Sequence, residues 1–245
     1  MPHKIAVCIP CAPKDRGFLK YCLLSVQAQT RQPDVVVVAL SIIADPAKLV
    51  MDLSGVTIPV EYLYSPKTLF AGANRNLAAA RAVELGATVL SFFDADDIMH
   101  PRRLECIEKI YEEHPTITGL IHHFIVGPKS NLAAYKGETP IPWEPIIHDY
   151  LERPYTINQY NRLNIIRFQT CFAKKIRRGY GMAANGHLTV LAEHWKENPY
   201  LENIGKGEDN HFSASILVSK KLLAYTCDTL SCYMRADFRH FQVGL

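Results

Sequence analysis

The segment from Asp34 to Ile42, DVVVVALSI, constrains the fold more than any other part of this sequence. It is an almost unbroken run of apolar, mostly β-branched residues. A strand with one solvated face alternates apolar and polar residues, whereas a strand covered on both faces does not. The segment is therefore predicted to be a strand inside a sheet that has helices on both sides.

Strand-like and helix-like segments alternate through the first 115 residues. Three more apolar runs are predicted strands, at residues 4–10, 60–65 and 87–93. Three segments with helical spacing or helix-boundary signals lie between or after them, at residues 16–29, 72–86 and 101–113. This alternation is typical of an α/β fold with a mostly parallel sheet, in which ligands bind beyond the carboxyl ends of the strands.

The second half of the chain gives weaker signals, and the length of 245 residues fits one large domain. Prolines and glycines interrupt residues 127–160. We expect strands at 119–127 and 165–173 and from Tyr225 onward. Helices are expected over Leu188 to Lys196 and from Glu208 through the segment SASILVSK.

Composition and charge exclude several classes of function. A net charge of +3 does not indicate a nucleic-acid partner, and no apolar run approaches the roughly 20 residues that span a bilayer. The N-terminal stretch is cut by Pro10 and does not resemble a secretory signal. Seven scattered cysteines favour reduced thiols. We therefore expect a soluble, cytoplasmic protein, whose oligomeric state the sequence does not indicate.

Three carboxylates, Asp94, Asp96 and Asp97, end the apolar run at 87–93. Alternate carboxylates at a strand end can converge on Mg²⁺ or Mn²⁺, which prefer oxygen ligands. Alternatively, Asp96 or Asp97 caps the helix near Pro101. A cap explains one aspartate and not three, so a metal site is favoured.

Two chemistries use such a D-x-D pair. One is phosphoryl transfer of the haloacid-dehalogenase type, whose motif usually follows the first strand of its domain. The other is sugar transfer from a nucleotide diphosphate, in which the pair holds a metal on the diphosphate. Here several strand–helix units precede the aspartates, which favours sugar transfer.

The sequence resembles the GT-A fold glycosyltransferases, particularly the broad family 2 type. Five segments carry the resemblance in the family's order: IAVCIPCAPKD, LLSVQAQTRQPDVVVV, AGANRNLAAARA, LSFFDADD and GEDNHF. The resemblance implies a single GT-A domain over 1–245, a Rossmann-like, mostly parallel sheet with an irregular C-terminal half. Residues 1–115 would bind the nucleotide sugar and residues 116–245 the acceptor.

The resemblance also implies which residues bind the donor. The end of the first strand, Pro10, Cys11 and Ala12, would line the nucleotide pocket. Arg75 would approach the nucleotide from the start of a helix, where phosphate also binds favourably. Asp96 would be a direct metal ligand. Asp94 would bind the ribose or the metal, and Asp97 would orient either residue.

Gly205 to Asn210 forms a second acidic segment, in which the family places a Glu-Asp pair. By resemblance, Asp209 would be the general base that takes the proton from the acceptor hydroxyl, with Glu208 as the alternate. Acidic residues also suit any first helical turn, so composition alone leaves both readings open.

The remaining candidate residues match the family pattern less closely. His187 and Trp195 would contact the acceptor, and His240 would be a third metal ligand. Many members read the nucleobase with an acidic residue at the end of strand 2, where this chain has Ala39-Leu40-Ser41. Asp45 would take that place.

The sequence thus predicts a metal-dependent, inverting glycosyltransferase of the hexosyltransferase type. It would use Mn²⁺ or Mg²⁺ and a UDP- or GDP-type sugar, and would act on a glycan or other hydroxyl acceptor. The synthase pattern Gln-x-x-Arg-Trp is absent, which favours transfer of a single sugar. The alternatives are an inactive sugar-nucleotide-binding module and a metal-dependent nucleotidyl or phosphoryl transferase.

Overall fold

The computed structural model describes residues 2–126, 140–146, 150–151 and 188–234. The four strands predicted in the first half are present: β1 Ile5–Cys11, β2 Val35–Ser41, β3 Glu61–Ser65 and β4 Val89–Phe92. The three predicted helices are also present: α1 Arg16–Gln27, α2 Ala71–Glu84 and α3 Arg103–Glu113. A two-residue strand that the sequence analysis missed, β5 Ile98–Met99, follows β4.

The first four strands run parallel in the order β3-β2-β1-β4. The chain builds outward from β1 to β3 and then returns to the other side of β1 for β4. The strand order therefore reverses between β1 and β4. In open α/β sheets this reversal leaves a crevice at the carboxyl ends of the two strands, where ligands bind.

The later strands extend the same sheet. They are β6 Ile117–Val126, β7 Tyr150–Leu151, β8 Leu188–Leu191 and β9 Leu222–Tyr233. Among the described residues, β8 lies antiparallel between β4 and β6, β9 lies beside β6 and pairs with β5, and β7 pairs with β9. The predicted strand at 165–173 lies outside the described residues.

The helix expected over Leu188 to Lys196 is wrong in its first four residues. Leu188–Leu191 is the strand β8, and the helix α4 runs only from Ala192 to Glu197. The segment LTVL is apolar and partly β-branched, and it is buried between two strands. Pairing on both sides outweighs its local spacing. The helix expected from Glu208 is present as α5 Glu208–Val218.

Two apolar layers cover the faces of the sheet. α1 and α3 pack on one face, through residues such as Leu23 and Ile107. α2 and α5 pack on the other face, where small residues such as Ala79 bring α2 close to the strands. The predicted cover on both faces of β2 is confirmed. No helix in the described ranges is long and apolar enough to cross a membrane.

Candidate active site

A cavity of about 610 Å³ opens at the point where the strand order reverses. Its walls come from the ends of β1 and β4, the start of α2 and the segment before α5. The residues that line it include Pro10, Ala12, Lys14, Asp15, Phe70, Asn74, Arg75, Asp94, Asp96, Lys206, Glu208, Asp209 and Tyr233. Seven of the sequence-predicted site residues therefore meet there, from four separate parts of the chain: Pro10, Ala12, Arg75, Asp94, Asp96, Glu208 and Asp209.

Alternation along β1 explains which of its residues reach the cavity. Side chains of a strand point to opposite faces in turn. Ile9 and Cys11 pack in the layer beneath α1 and α3, and both are fully buried. Pro10 and Ala12 instead line the cavity. The predicted pocket residue Cys11 supports the site from the core and does not line the cavity.

Arg75 is the centre of the site. It is 2% exposed, and its guanidinium donates to Asp94 Oδ1 at 2.6 Å and to Glu208 Oε1 at 3.2 Å. It also lies 5.7 Å from the centre of the Tyr200 ring. Burial alone would lower the pKa of Arg75, but Asp94, Tyr200 and Glu208 outweigh that effect and raise the pKa. One cation thus joins the end of β4 to the start of α5.

The segment before α5 is held closely against α2. A Cβ at Gly72 would collide with the carbonyl oxygen of Leu201, so only glycine allows this approach. The Tyr200 ring stacks on Phe212 of α5, with 3.9 Å between the ring centres. Gly207 has a φ of +81°, a left-handed conformation that turns the chain into the helix. These contacts place Glu208 and Asp209 at the cavity.

The two acidic residues at the start of α5 have different surroundings. Glu208 is 5% exposed and is paired with Arg75. Asp209 is half-buried, lines the cavity and accepts a hydrogen bond from the Asn210 N–H at 2.8 Å. Burial raises the pKa of Asp209. A carboxylate with a raised pKa takes up a proton more readily, provided that it is ionised at the working pH.

Asp96 lies in a cluster of negative charge. Burial, followed by the charges of Asp94 and Asp15, raises the pKa of Asp96 above its usual range. Burial also raises the pKa of Asp15, with a smaller contribution from Asp94. A bound cation would relieve this repulsion.

The donor set fits a cation that is shared with a ligand. Mg²⁺ is commonly held by one or two carboxylates, with phosphate oxygens and water completing its coordination. Asp96 and Asp94 both line the cavity and supply carboxylate oxygens. Within the described ranges, no group of three or more His, Cys, Asp or Glu side chains is placed to hold a metal ion alone. Asp96 and Asp94 are therefore the residues that could hold such a shared cation.

The capping role considered for Asp96 or Asp97 is wrong, because the N-cap residue of α3 is Arg102. Asp97 is 1% exposed, and its Oδ1 accepts a hydrogen bond from the Met234 N–H at 3.0 Å. It therefore ties the turn after β4 to the end of β9. Burial, followed by the charges of Asp96 and Asp94, raises the pKa of Asp97.

Other predicted site residues lie elsewhere. Asp45 begins a short 3₁₀ helix, Pro46–Lys48, where its side chain accepts from the Ala47 N–H and pairs with Lys48. Trp195 borders a second cavity between β3, α2 and α4, and its indole N–H donates to Asn76 Oδ1 at 3.0 Å. His187 and His240 lie outside the described residues. The acceptor role of Trp195 stays a prediction.

Sequence reasoning missed several residues that line the cavity. Lys14 and Asp15 belong to a short 3₁₀ helix directly after β1, and Lys206 precedes α5. Asn74 stands next to Arg75. The sequence did contain a signal for Lys14 and Asp15, because the segment IAVCIPCAPKD, which carries part of the family resemblance, ends on these two residues.

Comparison with known proteins gives a family and a fold. The model of the family described as glycosyl transferase family 2 matches residues 6–180. Among solved structures, S. aureus TarS 1–349 in complex with UDP-GlcNAc has a TM-score of 0.67 and 14% identity, over 99% of this chain and 61% of that one. TarS 1–349 in complex with UDP has a TM-score of 0.61 and 14% identity, over 98% of this chain and 63% of that one.

These structures are longer than the present chain, which spans about three fifths of TarS 1–349. Another S. aureus TarS structure has a TM-score of 0.62 and 15% identity, over 98% of this chain and 38% of that one. At such identities the likeness shows the fold alone. No curated protein sequence matches the chain significantly.

Proposed function

Because the chain belongs to glycosyl transferase family 2 and has the GT-A fold, we propose that it moves one sugar from a nucleotide-diphosphate sugar to an acceptor hydroxyl, with inversion. The observation that carries the proposal is the cavity in which Arg75 joins Asp94 to Glu208 while Asp209 lies beside them. The cavity thus contains a cation, Arg75, that can bind the diphosphate. It also contains a carboxylate, Asp209, that can take the proton of the acceptor hydroxyl. The acceptor is a glycan or another hydroxyl compound.

Asp209 is the proposed general base. Glu208 is already engaged by Arg75, whereas Asp209 lies at the cavity and its pKa is raised by burial. In the reaction the acceptor oxygen attacks the anomeric carbon, and Asp209 takes the hydroxyl proton. The bond from that carbon to the diphosphate breaks at the same time. A single displacement of this kind inverts the anomeric configuration.

The donor is proposed to lie with its diphosphate towards the cationic side chains of the cavity. Lys14, Arg75 and Lys206 border that space, and each can attract phosphate oxygens. Asp96, and then Asp94, are the proposed ligands of Mn²⁺ or Mg²⁺. When bound, the cation supplies positive charge that stabilises the leaving diphosphate. The TarS structure in complex with UDP-GlcNAc supports a uridine donor.

Two measurements test this function. The first is a thermal-shift screen of nucleotide sugars with and without Mn²⁺, in which the donor should raise the unfolding temperature more when Mn²⁺ is present. The second measures release of nucleoside diphosphate in the presence of donor, Mn²⁺ and candidate acceptors. Asp209→Asn should lower the release rate about 10²- to 10⁴-fold and leave donor binding unchanged, because general-base catalysis contributes a factor of that size.

Asp52→Asn is the matched control. Asp52 is an exposed aspartate paired with Lys20, and it does not line the cavity. Its replacement should leave the release rate unchanged. Normal turnover by Asp209→Asn would make the assignment of the base wrong. Donor binding without release, whatever acceptor is offered, would indicate a binding module instead.

A further inference from the structure

Two asparagines flank Arg75 on α2, and their hydrogen bonding differs completely. The amide of Asn76 is saturated. Its Nδ2 donates to Tyr200 O at 2.9 Å and to Glu202 Oε1 at 3.0 Å. Its Oδ1 accepts from Trp195 Nε1 and from Tyr200 N, both at 3.0 Å. A primary amide offers two donors and two acceptor positions, and Asn76 uses all four within the protein.

Asn74 is as deeply placed but is not satisfied in this way. The residue is 2% exposed, and its Oδ1 is buried without a hydrogen-bond partner among the described residues. Most buried polar side-chain atoms in proteins have a partner, so each exception calls for an explanation. The explanation here is its position, because Asn74 lines the same cavity as Arg75, Asp94 and Asp209.

We propose that Asn74 is a substrate-binding residue whose amide forms a hydrogen bond with a hydroxyl group of the sugar nucleotide. The inference rests on the proposed function and deepens it. The final torsion of an asparagine side chain has a broad energy profile. The amide can therefore turn either its oxygen or its NH₂ group towards a bound ligand.

A hydroxyl is the chemical group that fits this position best. It both donates and accepts, so it can pair with either end of the amide. Phosphate oxygens only accept, and the cavity already offers them the cations of Lys14, Arg75 and Lys206. Asn74 is neutral and lies one residue before Arg75. It is therefore suited to the uncharged part of the donor, on the ribose or on the transferred sugar.

The test compares Asn74→Ala and Asn74→Ser with the wild-type protein by calorimetric titration with UDP-GlcNAc and with UDP, both in the presence of Mn²⁺. Loss of a hydrogen bond to the buried Asn74 amide should raise the Kd for UDP-GlcNAc roughly tenfold. A tenfold rise for UDP as well places the hydroxyl on the ribose. A rise for UDP-GlcNAc alone places it on the transferred sugar.

Thermal unfolding without ligand separates binding from a structural role. Both variants remove a buried atom that has no hydrogen-bond partner among the described residues, so their unfolding temperatures should equal or exceed that of the wild type. Asn198→Ala is the matched control, because Asn198 bonds to His194 O and does not line the cavity. It should leave both Kd values unchanged.

Three outcomes overturn the inference, and they can be told apart. If the wild-type protein binds UDP-GlcNAc but both Asn74 variants bind it equally well, the inference alone is wrong. A variant that is strongly destabilised without ligand also overturns it, since the amide would then serve the fold. If the wild-type protein binds neither ligand, the proposal of a uridine donor is wrong, and the inference that rests on it is wrong as well.

Discussion

Arg75 and Arg103 are both buried arginines near β4, and they lie on opposite faces of the sheet. Arg75 belongs to α2 and contacts two carboxylates, those of Asp94 and Glu208, at the edge of the cavity. Arg103 belongs to α3 and is 0% exposed. It donates to the Ser91 hydroxyl at 3.1 Å and to the Phe92 carbonyl at 3.0 Å, and its guanidinium lies over the Phe93 ring.

The difference shows how one residue type serves two purposes. Attraction by carboxylates raises the pKa of Arg75, whereas burial lowers the pKa of Arg103. Arg75 joins elements that are 133 residues apart at a space open to ligands. Arg103 connects α3 to β4 through hydrogen bonds to acceptors that are only 11 and 12 residues away in the sequence. We infer that Arg75 acts in substrate binding and that Arg103 stabilises the fold.

The largest expected effect is that of Arg75→Met. It removes the cation proposed for the diphosphate and leaves the buried carboxylate of Glu208 without that partner. We expect the rate of diphosphate release to fall about 10²- to 10³-fold, and the free energy of unfolding to fall by about 3–5 kcal/mol. Steady-state kinetics and urea unfolding measure the two losses.

Arg75→Lys sharpens this test, because it keeps the charge but lacks the planar fork that reaches two carboxylates at once. It should recover part of the stability and little of the activity. Full activity in Arg75→Lys would show that charge alone is needed at this position.

Arg103→Met should lower the free energy of unfolding, by less than Arg75→Met does, and should leave the rate of diphosphate release nearly unchanged. The Ser91 hydroxyl and the Phe92 carbonyl would lose a donor, and a buried acceptor left unpaired costs about 1–3 kcal/mol. Removal of a buried charge offsets part of that cost. Below the unfolding temperature, the rate of diphosphate release should stay within about twofold of the wild type. A loss as large as that of Arg75→Met would contradict the proposed contrast.

The strands and helices of the first half were predictable because their periodicity is local. DVVVVALSI is apolar throughout, and a strand covered on both faces has that pattern. The grouping of Arg75, Asp94 and Asp209 was expected only through the family resemblance. Nothing in local spacing indicates that Arg75 bonds to a residue 133 positions away.

The errors and omissions have physical causes of the same kind. Leu188–Leu191 was predicted as helix, but it pairs with strands on both sides. β5 has only two residues, too few for a periodic signal. Helix-start signals did not reveal that Arg103 is buried, because Ser91 and Phe92, which accept hydrogen bonds from it, belong to β4. Tertiary pairing, which a single sequence does not display, decided each of these cases.

The expected effect that is smallest at neutral pH concerns the end of α5 opposite to Arg75. There His194 of α4 makes a neutral contact, with Nε2 3.0 Å from Ser215 Oγ. Burial, with a smaller contribution from Lys221, lowers the pKa of His194 to about 4. An unfolded histidine has a pKa of about 6.5. The stabilisation is therefore complete above pH 6.5 and is lost as the pH falls towards 4, by about 1–3 kcal/mol.

His194→Gln separates this contribution from those of other groups, because glutamine does not titrate and can still bond to Ser215. Urea unfolding between pH 7 and pH 4.5 should show a shallower loss of stability for this variant than for the wild type. His211→Gln is the matched control, since His211 is exposed on α5, and it should keep the wild-type pH profile. Equal pH profiles for His194→Gln and the wild type would show that α5 is held at this end without help from a neutral histidine.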